Sequence, residues 1–379
     1  SYHQPTPLVT FFTMTNDQAP PDMKTLEQVF QSWTKRCLKE QDEDKDEMLD
    51  TPPTPEVLQQ DSQSFFLDLN TKASNSSNPV FLDGDIRIET KSPIEIAVAK
   101  LIQDLGAAFS ATHHESRYRA LHVLVGAIQG CKDTPFSNTL IQLVGGFLLK
   151  HCGPIDDDDY GEDYDSMIRN TAIHGLVAMV QLSSSSIASD AELQKAFEIR
   201  LQFVQEGIKL RCSAPDNGMS PDTQDMREQL STLPRSKRSL CFELIESVIK
   251  GVVVITNQIA SNTSLLQDKS GLQQMMVTFA RFASSCLHGE SDPRCLQQLL
   301  TIFHEMQRAF EPYFLESTRE ELVFPSEDLF DAVAPYFPIQ FSPPPNNVHN
   351  ITREGLHSAL LAVLCYTKMD KNAIAHKRI

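Results

Sequence analysis

The sequence predicts an all-α fold, a helical-repeat solenoid of the HEAT or armadillo kind. Apolar residues recur at i, i+3, i+4 and i+7 along most of the chain, the period of an amphipathic helix. Period-2 alternation is nearly absent. The helical segments recur about every twenty residues and come in pairs, a repeat of roughly 40 residues that matches HEAT and armadillo arrays. One such pair cannot cover its own apolar stripe, so neighbours must stack into a continuous core.

The 379 residues would otherwise suggest two or three compact domains; a solenoid core grows in one dimension and has no such limit. Residues 1–22, rich in Pro, Thr and Gln, predict a flexible tail. Residues 23–40 predict an isolated helix, with Leu26, Val29, Phe30 and Trp33 at helical spacing. Residues 41–91 read as an acidic, Pro- and Ser-rich linker. It holds the acidic run 41–50, the steps Thr51-Pro52 and Thr54-Pro55 as candidate phosphorylation sites, a Ser/Asn cluster, and a short segment from Val80 to Ile88 with strand composition.

Residues 92–379 predict the solenoid. Leu121, Leu124, Val125 and Ile128 form one stripe, and Leu140, Leu143, Val144, Phe147 and Leu148 the next. Ile173, Leu176, Val177 and Val180 repeat the pattern, as do Cys241, Leu244, Ile245, Val248 and Val252. Leu296, Leu299, Leu300 and Phe303 follow, then Leu356, Ala359, Leu360, Val363 and Leu364. Each stripe implies polar residues on the opposite face. Two polar stretches interrupt the array and read as surface insertions, one near 153–166 and one near 212–234.

Composition narrows the function classes. The net charge of −17, from 50 acids and 33 bases, repels a phosphate backbone and disfavours direct nucleic-acid binding. The short basic run from Arg235 to Arg238 reads as a solvated helix start. No run of eighteen apolar residues occurs, so no membrane-spanning helix is expected, and the first thirty residues lack the pattern of a secretory signal. The chain begins at Ser1 rather than Met, which reads as an excised segment. Eight cysteines without a C-x-x-C pair predict free, mostly buried thiols in a reducing compartment, cytoplasmic or nuclear. In such a compartment the N-x-[ST] matches at Asn75, Asn262 and Asn350 are chance occurrences.

Four groups of residues invite a chemical reading, and each fails on geometry or count. From Asp156 to Asp165 the chain is dense in carboxylates, and Gly161 stands where a calcium loop needs glycine. The twelfth position, however, is Met167 instead of the bidentate Glu. His113 and His114 are adjacent beside Glu115, and neighbouring side chains on a helix diverge by about 100°, so they are expected in the turn before a helix starting near Ser116. His174 lies off its apolar stripe and reads as a surface residue; His151, ahead of Cys152 at a helix end, reads as a cation suited to the C-terminal dipole. Cys286 and Cys295 are two thiols where a cluster needs four, and read as ordinary helix cysteines. Phosphate-loop, dinucleotide, zincin and nucleophile-elbow signatures are all absent. No catalytic, cofactor-binding or metal-binding residue is assigned, no cofactor is expected, and the chain is read as non-enzymatic.

The segment 324–345 is distinctive. Phe324, Glu327, Asp328, Leu329 and Phe330 precede Tyr336-Phe-Pro-Ile-Gln-Phe341 and then the prolines 343–345. Ser326 can cap a helix start, and Glu327 and Asp328 suit its positive end. Three consecutive prolines remove three donors and force extended backbone. Tyr336, Phe337, Ile339 and Phe341 are expected to pin this strap to neighbouring helices, and Thr352 to cap the next one.

This stretch resembles the iron–sulfur targeting scaffold named for methyl-methanesulfonate sensitivity, the Mms-nineteen family. The family pattern F-x-x-E-[ED]-L-F, then Y-F-P-I-x-F-x-P-P-P-N-D and G-I-T-R-E-D-L, stands here from Phe324 to Phe330, from Tyr336 to Asn346 and from Ile351 to Glu354. Asp292-Pro-Arg294 with its following helix resembles the preceding repeat; 117–126 and 168–179 resemble the family's early helices more weakly. Asn347 replaces an Asp, Asn350 a Gly and Gly355 the capping-box Asp; asparagine tolerates the left-handed backbone that glycine would supply. Residues 1–90 carry no resemblance. The resemblance implies a HEAT-repeat adaptor of the cytosolic iron–sulfur assembly targeting complex, in the cytoplasm and nucleus. Its implied partners are a WD-repeat protein and a small protein, docked through C-terminal repeats that lie beyond this sequence. Its implied clients are iron–sulfur proteins such as DNA helicases, polymerases and primase, in repair, replication and transcription. A generic HEAT adaptor of transport or phosphatase regulation is the alternative.

Overall fold

The computed structural model describes residues 23–38, 53–74, 92–132, 134–153, 162–184, 189–212, 230–260, 270–287, 289–314, 326–343 and 350–377. Its named helices are α1 Met23–Leu38, α2 Pro55–Ser74, α3 Pro93–Asp104, α4 Gly106–Phe109, α5 His114–Gly130, α6 Asn138–Lys150 and α7 Glu162–Val180. After these come α8 Asp190–Cys212, α9 Arg235–Ala260, α10 Ser270–Leu287, α11 Pro293–Phe314, α12 Ser326–Val333, a 3-10 turn Ala334–Tyr336, and α13 Arg353–Lys377. Local chemistry sets several starts. Ser137 Oγ accepts from Leu140 N at 3.3 Å, Thr352 Oγ1 from Gly355 N at 2.9 Å, and Asp292 Oδ1 from Arg294 N at 2.9 Å. Pro55, Pro93 and Pro293 each occupy the first helical position, where a missing N–H costs nothing.

The helices form two rows. In one row α2, α5, α7, α9, α11 and α13 pack in succession; in the other α6, α8, α10 and α12 do so. Links between the rows join sequence neighbours such as α6 with α7 and α10 with α11. From α5 to α11 each helix therefore meets the helix two places on, the arrangement of a helical-repeat solenoid. A single hydrophobic core runs from Leu26 to Val363. The only bridge between extended residues among those described pairs Phe136 with Ser184, next to a hydrogen bond from Phe136 N to Ser183 O of 3.0 Å. The segment expected as a strand, from Val80 to Ile88, lies outside the described residues.

The N-terminal region departs from the sequence reading. The helix expected to be isolated, 23–40, is described over Met23–Leu38 and packs on α3, α4 and α5. The stretch 41–91, expected as linker, contains the 20-residue helix α2. Phe66 of α2 stacks on Phe30 of α1 at 6.0 Å between ring centroids, and Phe65 meets Trp33 edge-on at 5.4 Å. Leu58, Phe66 and Leu69 of α2 are buried, and polar and backbone contacts that hydropathy does not register add to its docking. Ser62 Oγ donates to Val123 O at 2.8 Å, and the backbone of α2 lies in a notch at Gly126 and Gly130. A Cβ at Gly130 would stand 2.5 Å from Gln63 O and 2.9 Å from Phe66 Cβ, so only glycine permits this approach. This also corrects the expectation that α5 has a polar, exposed face: Arg119 and His122, opposite its apolar stripe, are buried too.

Two smaller corrections follow. Leu143, read as part of the α6 stripe, is 51 % exposed, while Leu140, Val144 and Leu148 face the core. The insertions are shorter at their C-terminal ends than 153–166 and 212–234: α7 already starts at Glu162, and Leu230 is buried. Residues 154–161 and 213–229 lie outside the described residues, as do the tail 1–22 and Thr51.

Arg200 fastens the array at its middle. It is fully buried without a carboxylate, donating from Nε to Val180 O at 3.0 Å and from Nη1 to Ala196 O at 2.8 Å. Nη2 donates to Leu182 O at 2.5 Å and to Ser184 Oγ at 3.0 Å. The cation thus satisfies carbonyls left free at the C-terminus of α7. Burial pulls its guanidinium down to about 10, so it remains charged at neutral pH.

Candidate interaction surface

Several groups that the sequence singled out have a place among the described residues. His113 precedes α5 as its N-cap residue and His114 is the first helical residue, two positions earlier than the expected start near Ser116. His174 is exposed, as its spacing implied. His151 follows α6 and packs on Phe109 and Phe147; burial foremost, with Arg117 and Lys150 nearby, lowers its basicity and disfavours the expected dipole-bound cation. Cys286 and Cys295 are buried free thiols, pushed up by burial to about 12 and about 11, far from the reactive thiolate range. Among the described residues no group of three or more His, Cys, Asp or Glu is placed to hold a metal ion. The carboxylates at 156–161 lie outside the described residues, and those from Glu162 onward belong to α7.

The basic run at the start of α9 is not a solvated face throughout. Arg238 forms a two-pronged bridge to Glu290, Nε to Oε2 at 2.9 Å and Nη2 to Oε1 at 2.9 Å, and Nη1 donates to Leu233 O at 2.5 Å. Glu290 Oε1 also accepts from Asp292 N at 2.8 Å. Asp292 in turn holds Arg294 through Oδ1 and Oδ2 at 3.0 and 2.7 Å, and this guanidinium keeps its carboxyl at about 2. Sequence spacing gives no hint of the first pair, because Arg238 and Glu290 are 52 residues apart.

A second buried polar group joins α2, α5 and α7. His122 Nδ1 lies 2.6 Å from Gln59 Oε1, its Nε2 lies 3.3 Å from Thr171 Oγ1, and Gln59 Nε2 donates to Gln129 Oε1 at 3.0 Å. Burial, foremost, lowers the basicity of His122. These contacts position helices and leave no open acid, base or nucleophile.

The two most exposed large hydrophobic side chains among the described residues, Phe330 and Phe337, lie at the C-terminal corner. α12 begins at Ser326, whose expected cap lies outside the described side chains; Leu329, Ala332 and Val333 are buried, while Phe330 points out. Of the four residues expected to pin the strap, Ile339 is buried and Tyr336 and Phe341 pack partly buried against the core. Phe337 does not pin it: its ring is exposed, 6.3 Å from that of His357 on α13. Asn350 adopts φ 52°, the left-handed backbone expected of it, and Thr352 caps α13. Pro344 and Pro345 lie outside the described residues.

A two-row helical array of this kind defines a helical-repeat solenoid. Residues 102–375 match the family described as "Dos2-interacting transcription regulator of RNA-Pol-II", and with it the chain belongs to the MMS19 family, in the N-terminal part. The MMS19 nucleotide excision repair protein homolog of Danio rerio is 56 % identical over 273 residues, 72 % of this chain and 20 % of that relative. The Homo sapiens homolog is 39 % identical over 82 residues, 21 % of the chain and 7 % of the relative. The Arabidopsis thaliana homolog is 20 % identical over 273 residues, 72 % of the chain and 19 % of the relative. The chain thus spans a fifth or less of these relatives' lengths. No solved structure matches.

Proposed function

We propose that this chain is part of a non-catalytic adaptor of the cytosolic iron–sulfur assembly targeting machinery, acting in the cytoplasm and nucleus. It helps present apoproteins of DNA repair, replication and transcription for cluster delivery. Its clients are helicases, polymerases and primase; its assembly partners are a WD-repeat protein and a small protein bound by repeats further along the longer chain. The observation that carries this reading is the family match over 102–375, which includes the segment from Phe330 to Thr352. The names of the relatives supply the link to repair and the family's description the link to transcription. A solenoid with polar groups committed to helix packing suits an adaptor, because such folds offer long surfaces and need no reactive site.

The test is affinity capture from cell extract with this segment and with the full-length protein, read by mass spectrometry. Iron–sulfur helicases or polymerases on the segment, with the WD-repeat protein on the full-length bait alone, is the expected result. Neither set on the full-length bait, or a transport GTPase or phosphatase subunit in their place, overturns it.

A further inference from the structure

His122 of α5, 8 % exposed, sits where α2, α5 and α7 meet and packs edge-on against the ring of Tyr118 at 4.5 Å. Its hydrogen bonds fix where its proton lies. Gln59 Nε2 donates to Gln129 Oε1 at 3.0 Å, which turns Gln59 Oε1 toward the ring, 2.6 Å from Nδ1. A carbonyl oxygen only accepts, so Nδ1 carries the hydrogen, and Nε2 of the neutral ring accepts from Thr171 Oγ1 at 3.3 Å. Both nitrogens are thus satisfied in the neutral ring. A second proton, on Nε2, turns the Thr171 hydroxyl away toward Met167 O at 2.9 Å and places a full charge in a buried seam.

Among the described residues, titratable groups bear on the ring from all three helices. Glu56 on α2 favours the cation and His174 on α7 opposes it, both exposed and screened by water. Tyr118 on α5 stays neutral, its phenol pushed above the usual value by burial foremost. Burial therefore decides, and it lowers the basicity of His122. A ring so placed stabilises the closed seam in full above its ordinary value of about 6.5 and loses that contribution as pH falls below it. The charge is relieved where least structure is lost. α7 is held by α6, α8 and α9 as well, whereas α2 rests on α5, on α3 and on the rings of α1. Lifting α2 returns the ring to water at the expense of one helix; parting α5 from α7 would split the array. We infer that His122 is a proton-operated latch on α2: the neutral ring holds the helix down, and the protonated ring lets it lift and uncover the face of α5 that carries Gly126 and Gly130. This goes beyond the adaptor reading and does not rest on it.

The experiment is amide hydrogen exchange of the full-length protein, read by mass spectrometry on peptides from α2 and α10 between about pH 7.5 and about pH 5.5 and corrected for the intrinsic pH dependence of exchange. A single proton raises the opening of α2 by at most about tenfold per pH unit, so α2 should open several-fold more at the acid end while α10 does not change. His122→Asn keeps an N–H toward Gln59 and cannot titrate, and should flatten the α2 response. Gln59→Glu sets a carboxylate against Nδ1, favours the protonated ring and should abolish or invert the response. Where His122→Asn fails to fold, Gln59→Glu, at a half-buried position, carries the test by itself. An α2 response below about twofold, an equal response of α10, or an acid opening that persists in either variant overturns the inference.

Discussion

Replacing Gly130 by alanine sets two effects of opposite sign against each other. In an exposed helix the change is stabilising by about 1 kcal/mol, because alanine loses less backbone entropy. In this fold the new Cβ would stand 2.5 Å from Gln63 O, 2.9 Å from Phe66 Cβ and 3.1 Å from Leu67 N, all backbone or backbone-attached atoms that no rotamer change can move. Helix α2 must retreat by about 1 Å to restore ordinary contact, loosening the packing of Phe66, and overpacking of this kind costs roughly 1–3 kcal/mol. The net expectation is a loss of about 1–2 kcal/mol, a drop of a few degrees in melting temperature. Gly146→Ala is the control: a Cβ there meets nothing within 4 Å, so stability should rise by about 0.5–1 kcal/mol. Trp33, the only tryptophan of the chain, is buried against Phe65 of α2, so its emission reports α2 docking directly. A red-shifted emission with a lower melting point in Gly130→Ala is the expected outcome. A higher melting point with unchanged emission would show that α2 is not seated on α5 as described.

Arg200→Met should cost about 3–5 kcal/mol in denaturant unfolding, because it strands the carbonyls of Val180 and Leu182 in the core; a loss below 1 kcal/mol refutes the capping role. Arg238→Met should be costly by a similar amount, and adding Glu290→Gln should restore part of it, since the single change leaves a buried carboxylate without its partner; strict additivity in the cycle would count against the bridge. Asp292 sits below its ordinary value of 3.8, at about 2, so its stabilisation is complete above the unfolded value and is lost as pH falls through about 2. Asp292→Asn should therefore flatten the stability–pH curve between about pH 4 and 2 by up to about 2 kcal/mol, and an unchanged slope contradicts the assignment. Phe341→Ala should lower the melting temperature by a few degrees and Phe337→Ala by almost nothing, because the first ring packs on the core and the second is exposed; equal shifts would refute that division.

The sequence by itself determined the all-α class and the core of the array. Burying Leu121, Leu124 and Ile128 on one side of a helix is dictated by 3.6-residue periodicity, and all three are buried. The left-handed Asn350 was legible for a related reason: asparagine acts on the backbone locally, without reference to distant partners. Tertiary structure alone decided what depends on residues far apart. Helix α2 docks partly through Ser62 and glycine notches some 60 residues away, close approaches that hydropathy does not register. Burial against Phe109 and Phe147, with cations nearby, lowers the basicity of His151, although its place at a helix end suggests a cation. Phe337 is no different in sequence character from Phe341, yet one is exposed and the other half-buried, because the turn after α12 fixes which side of the strap faces the helices. Periodicity selects the faces that leave water; which partner covers each face, and which face stays uncovered, is settled only when the rows stack.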